Sequence, residues 1–178
     1  MKKILTSIAV IGFVAMSATA AHASDGVINF SGKLVDTSCN VSVGGGGTVG
    51  NIILPNISVT ELAAAGETAG DIGFTIALSA CSGSKSPVRV FFELDNSPAV
   101  DRTTGRLNNT AGSGAAGNVQ LELLDGNYTP IVIGGAVGNY TDISGGSASI
   151  PFSVRYYATD ETTPGDVKSM VTFSLDYQ

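Results

Sequence analysis

The sequence predicts an all-β sandwich. Three features predict it: short runs with apolar residues at every second position, clusters of Gly, Asn, Asp, Ser and Pro between them, and little sustained helical periodicity. In chain order, Phe74, Ile76 and Leu78 alternate with Thr75 and Ala77. Val88, Val90, Phe92 and Leu94 alternate with Arg89, Phe91 and Glu93. Val119, Leu121 and Leu123 alternate with Gln120 and Glu122. Ile150, Phe152, Val154, Tyr156 and Ala158 alternate with Pro151, Ser153, Arg155, Tyr157 and Thr159. Turn clusters at 44–47, 82–86, 112–117 and 145–146 separate these runs. One helical turn is expected where Ser58-Val59-Thr60-Glu61 fits a capping box and Leu62 to Ala65 follow before Gly66. No repeat and no long linker divides the chain.

The first residues form a separate unit. Lys2 and Lys3 precede an almost unbroken apolar run from Ile4 to Ala15, and Ala21-His22-Ala23 is a small-x-small processing site. This reads as a secretory leader over 1–23, with a mature chain starting at Ser24, rather than as a membrane anchor. Losing Lys2 and Lys3 takes the formal net charge from −6 to −8, which disfavours nucleic acid as a partner. The only histidine, His22, leaves with the leader, so Ser-His and Cys-His mechanisms are excluded and the commonest transition-metal ligand is missing. Cys39 and Cys81 are the only cysteines, and an even pair in an exported chain reads as a disulfide.

No pattern points to an enzyme, a cofactor or a metal. Gly44 to Gly47 lacks the Lys-Ser/Thr and the helix of a phosphate-binding loop. Asp160 and Glu161 lack the spaced oxygen ligands of a calcium loop and read as a solvated turn. Glu93 and Asp95, two apart on a strand, share a wet face.

The two ends of the mature chain carry the functional information. At the C-terminus, positions 167, 169, 171, 173, 175 and 177 read Val, Ser, Val, Phe, Leu, Tyr, against Lys, Met, Thr, Ser, Asp, Gln on the alternate set. That split predicts a strand with one buried and one wet face. At the N-terminus, Gly26, Ile28, Phe30, Gly32 and Leu34 share one face of a strand, and Asp25, Val27, Asn29, Ser31 and Lys33 the other. This strand is free to pair with its own domain or with another, and its glycines suit close approach of a second backbone.

Three segments carry a resemblance: Asp25-Gly26-x-Ile28-x-Phe30-x-Gly32-Lys33-Leu34-Val35-Asp36 followed by Cys39; Phe74-x-Ile76-x-Leu78-x-x-Cys81; and Arg155-Tyr156-Tyr157-Ala158-Thr159 with Thr163-Pro164-Gly165. With the penultimate Tyr177 and with Gly165 fourteenth from the C-terminus, they make the chain resemble the pilins of type 1 and related chaperone–usher fimbriae, specifically a main shaft subunit. The resemblance implies an immunoglobulin-like sandwich lacking its last strand. It also implies a division into leader (1–23), donor-strand extension (24–34) and pilin domain (35–178). Strand addition to an open sheet edge is a general recognition mode, of which chaperone–pilin donor-strand complementation is a standing example. By this resemblance Gly26, Ile28, Phe30 and Gly32 would be donor residues. Val171, Phe173, Leu175 and Tyr177 would edge the acceptor groove, and Gly165 with Tyr177 would form the chaperone-recognition pattern. The implied partners are identical or related pilins, a periplasmic chaperone and an outer-membrane usher, and the implied location is the cell-surface fimbrium. A minor adaptor subunit is the alternative, since it has the same two ends. A tip adhesin would need an extra lectin domain for which the chain leaves no room.

Overall fold

A computed structural model describes residues 28–32, 34, 36–83, 87–135 and 138–178. The chain divides after Lys33 into two units, of which Leu34–Gln178 is the larger. Its described residues form β1 (Ser38–Val43), a single 3-10 turn (Val59–Leu62), β2 (Thr68–Ser82), β3 (Val88–Glu93), β4 (Leu107–Asn108), β5 (Val119–Asp125), β6 (Ala148–Ala158) and β7 (Thr172–Tyr177). One sheet has the order β1-β2-β6-β5-β4, and β3 and β7 form a second. Every ladder is antiparallel.

The period-two runs of β2, β3, β5 and β6 supply the core. Ile76, Leu78, Leu121, Leu123, Ile150, Phe152 and Val154 of the large sheet meet Val88, Val90 and Phe92 of β3, and all are buried. The Phe152 ring joins the two layers. It lies 5.7 Å from Phe74, stacked, and 5.1 Å from Phe92, edge-on, both favourable aromatic geometries. Strand β3 keeps the predicted alternation, with Val88, Val90 and Phe92 buried and Arg89, Phe91 and Glu93 partly exposed.

Strand β2 is longer than the Phe74–Leu78 run implies. It begins at Thr68, with a register shift against β6 between Ala69 and Ile72. Gly70 and Gly73 interrupt the sequence pattern there. Gly70, at φ +70°, lies where a side chain would press into the Tyr156 ring. The capping box at Ser58 is present: Ser58 Oγ accepts from Thr60 N at 3.3 Å, and Ser58 N donates to Glu61 Oε1 at 3.2 Å. The helical turn closes at Leu62, which is buried, so Ala63 to Ala65 lie outside it.

Strand β5 departs from the expected wet and dry faces. Gln120 and Glu122 are buried along with Leu121 and Leu123. Residues 101–108 supply the polar cover. Arg106 Nε donates to Glu122 Oε1 at 3.0 Å, and Gln120 Nε2 donates to Asp101 Oδ2 and Asn108 Oδ1, each at 2.9 Å. Arg155, opposite Glu122 on β6, donates to Glu122 Oε2 at 2.7 Å. The Arg106 guanidinium lies 3.6 Å from the Tyr157 ring centroid, a cation–π contact. A carboxylate can be buried here because two guanidiniums neutralise and hydrogen-bond it.

The Cys39–Cys81 disulfide joins β1 to β2 across 42 residues. On the loop-entropy model, closing such a loop contributes about 4 kcal/mol. Replacing both cysteines by Ala should therefore lower the urea-unfolding free energy by about 4 kcal/mol. Glu122→Ala, which takes from Arg106 its carboxylate partner and leaves Arg155 only the 4.0 Å contact to Asp71, should lower it by about 3 kcal/mol in the same assay.

Candidate functional site: an apolar groove between two free strand edges

Strand β7 pairs only with β3, and β1 pairs only with β2, so each leaves one backbone edge without a ladder partner among the described strands. Between these edges runs a groove of about 860 Å³. Phe74, Ile76, Phe92, Leu121, Leu123 and Val154 line its floor. One wall is Val171 with Phe173 and Leu175 of β7; the other is Val41 and Val43 of β1 with the 48–54 segment. Lys168 is the single charged residue among the described residues of its lining.

The exposure of β7 records the gap. All six of its residues are half-buried, in contrast to the sharp alternation of its partner β3. The split between a buried and a wet face predicted for this strand is therefore blurred. Phe173 and Leu175 pack against the core but are only half-buried, and among the described residues no strand covers them on the groove side. Unpaired N–H and C=O groups beside apolar side chains form a template for another strand.

The sequence-predicted groove residues Val171, Phe173 and Leu175 all line this groove. Tyr177 does not. It pairs with Val88 and packs against the core, and burial raises its phenol pKa above the ordinary value. Gly165 stands in a neighbouring cleft of about 590 Å³ that shares Ile52, Leu54, Val167 and Lys168 with the groove. The structure gives Gly165 a packing reason. Ala116 N donates to Asp166 O, and Asp166 N to Gly114 O, each at 2.9 Å, and a Cβ on Gly165 would strike the 114–116 backbone.

The second wall was not singled out from the sequence. Its signal is a weak period of two: Val41 and Val43 on β1, then Ile52 and Leu54 flanking the exposed Ile53. Gly50 lets the 48–54 segment fold back onto β1, since a Cβ there would collide with the Val43 side chain.

At the other end, residues 28–32 form no strand within the described chain. Ile28 and Phe30 are 78% and 92% exposed, and a Cβ on Gly32 would meet open space. Gly26 lies outside the described residues.

Comparison with known proteins is consistent with this geometry. The family model described as Fimbrial protein matches residues 28–178. A major fimbrial subunit, SMF-1, of Stenotrophomonas maltophilia (strain K279a) is 40% identical over 172 residues, covering 92% of this chain and 99% of its own. The crystal structure of a Burkholderia pseudomallei type I fimbria protein superposes with a TM-score of 0.57 at 27% identity, covering 81% of this chain and 99% of its own. A chain from a chaperone–usher pilus structure matches with a TM-score of 0.61 at 20% identity, over 87% of this chain and 96% of its own, a likeness of fold. A family match that spans both sheets and both groove walls places this chain in the fimbrial protein family.

Proposed function

We propose that the chain is a shaft-forming fimbrial subunit that polymerises by strand donation. The observation that carries this reading is the apolar groove between the free edges of β1 and β7, in a chain whose Ile28 and Phe30 are exposed at alternate positions. In this reading 1–23 is a secretory leader, 24–34 is the donor extension and 35–178 is the pilin domain. The extension of one copy enters the groove of the next, with Ile28 and Phe30 on the floor and Gly26 and Gly32 where the backbones come close. Before assembly a periplasmic chaperone covers the same groove, pairing beside β7, with Gly165 and Tyr177 in its recognition pattern. An outer-membrane usher then passes the subunit to the surface fimbrium. The role is structural and not enzymatic. The similarity to a major fimbrial subunit favours the shaft over a minor adaptor.

Energetics support a large effect from so short a segment. Burying Ile28 and Phe30 contributes roughly 1.5–3 kcal/mol each, and each ladder hydrogen bond adds about 0.5–1.5 kcal/mol net.

The test uses the mature chain carrying Phe30→Asp, so that no copy can fill another's groove, with a synthetic peptide of residues 24–34. The peptide should raise the melting temperature by about 10–20 °C, and the same peptide carrying Asp at position 30 should leave it unchanged. A melting temperature indifferent to the wild-type peptide would mean that the sandwich is already complete, and strand donation would be abandoned. In the peptide-free chain, Leu78→Ala should cost about 2–5 kcal/mol and Leu175→Ala markedly less, because Leu175 is only half-buried. Urea titration with peptide present should narrow that gap, since the groove then closes over Leu175.

A further inference from the structure

The wall of the groove formed by β7 has a weakness. Its inner face is a run of similar apolar residues, Val171, Phe173, Leu175 and Tyr177, with its core cover incomplete. A slip of one residue would turn these side chains outward, and burial forbids it. A slip of two residues keeps them inward, so the alternation of faces alone does not forbid it. Yet an incoming strand takes its register from β7. Something on the other face must fix that strand.

The outer face carries such a device. Across the β3–β7 ladder, Arg89 stands directly opposite Asp176, and Glu93 opposite Thr172. Arg89 Nε donates to Asp176 Oδ2 at 2.7 Å, and its Nη2 lies 2.6 Å from the same oxygen. The Tyr140 hydroxyl donates to Asp176 Oδ2 at 3.1 Å, and the Arg89 guanidinium sits 4.4 Å from the Tyr140 ring centroid. Tyr140 is itself anchored, because Thr141 exchanges backbone hydrogen bonds with Val88 at 2.9 and 2.7 Å on the far edge of β3. At the other end, Thr172 N donates to the buried Ser97 Oγ at 3.0 Å, and Thr172 Oγ1 donates to Glu93 Oε2 at 3.3 Å. A two-residue slip one way places Asp176 opposite Phe91. The other way it places Ser174 opposite Arg89. Neither satisfies the guanidinium, and a four-residue slip sets Asp176 against Glu93, two like charges.

We propose that Arg89, Tyr140 and Asp176 form a register lock for strand addition. None of the three is among the described residues that line the groove. They are positioning residues that hold β7 in the one alignment that presents its free edge to the donor strand of a second copy of this chain. The inference rests on the strand-donation reading and adds to it the residues that set the register of capture.

The test measures binding of the 24–34 peptide to the mature Phe30→Asp chain, alone and with changes in the cluster. Asp176→Asn and Arg89→Ala should each weaken capture about tenfold, and Tyr140→Phe, which keeps the ring and loses only the hydroxyl, about threefold. The charge-exchanged pair, Arg89→Asp with Asp176→Arg, should recover most of the loss, a rescue that a general loosening of the fold would not produce. The melting temperature of the peptide-free chain is the control and should not track capture. Should Asp176→Asn fail to fold, Tyr140→Phe and the exchanged pair still decide the matter. Capture within about twofold of the parent across the folded series, or an exchanged pair no better than its single changes, overturns the register lock. Failure of the parent chain to capture the peptide overturns the strand-donation reading instead.

Discussion

Backbone N–H and C=O groups at a strand edge must find partners, and apolar side chains beside them must find cover. In most sandwiches one further strand meets both demands. Here β1 and β7 face each other across a groove floored by Phe74, Phe92 and Leu123, and the described chain places no strand between them. The other features follow from that vacancy. Strand β7 is half-buried throughout, the 48–54 segment folds back on β1 to narrow the opening, and the exposed Ile28 and Phe30 have the spacing of a strand that could fill it.

Several ties that hold the sandwich together lie off the groove lining. The disulfide ties β1 to β2, the Phe152 ring bridges the two sheets, and Glu122 is clamped by Arg106 and Arg155 on the opposite face of the large sheet. A domain that must accept and exchange a strand needs its remaining elements to hold when that strand is absent. The segment nearest the vacancy, β7, is held from its outer side by polar contacts at Asp176 and Thr172.

Much of this was legible in the sequence, because period-two alternation reports directly which face of a strand looks inward. Strand β3 follows its pattern residue by residue, the cysteine pair is the disulfide, and Val171, Phe173 and Leu175 line the groove. Alternation does not say what lies over a face. Gln120 and Glu122 read as wet positions and are buried, because residues 101–108 cross the outer face and bring Asp101 and Arg106 to them. The 48–54 wall was missed because Gly50, Asn51 and Pro55 interrupt its short apolar pattern, and the start of β2 because Gly70 and Gly73 do the same. Tyr177 and Gly165 show another limit. A position within a motif does not reveal whether its side chain faces the groove or packs beside it.

The place of the disulfide has a mechanical meaning. Cys39 lies five residues beyond Leu34, at the start of β1. In a fibre joined by strand donation, as proposed above, tension would enter each domain through that short tether and reach β1 first. Antiparallel hydrogen bonds between β1 and β2 could be peeled one at a time by such a load. The covalent bridge to Cys81 passes it instead into β2, the fifteen-residue strand that pairs with both β1 and β6. The crosslink therefore takes the load off the first strand at its head, so a pull along such a fibre is passed to the large sheet through β2 and does not begin by unzipping its edge.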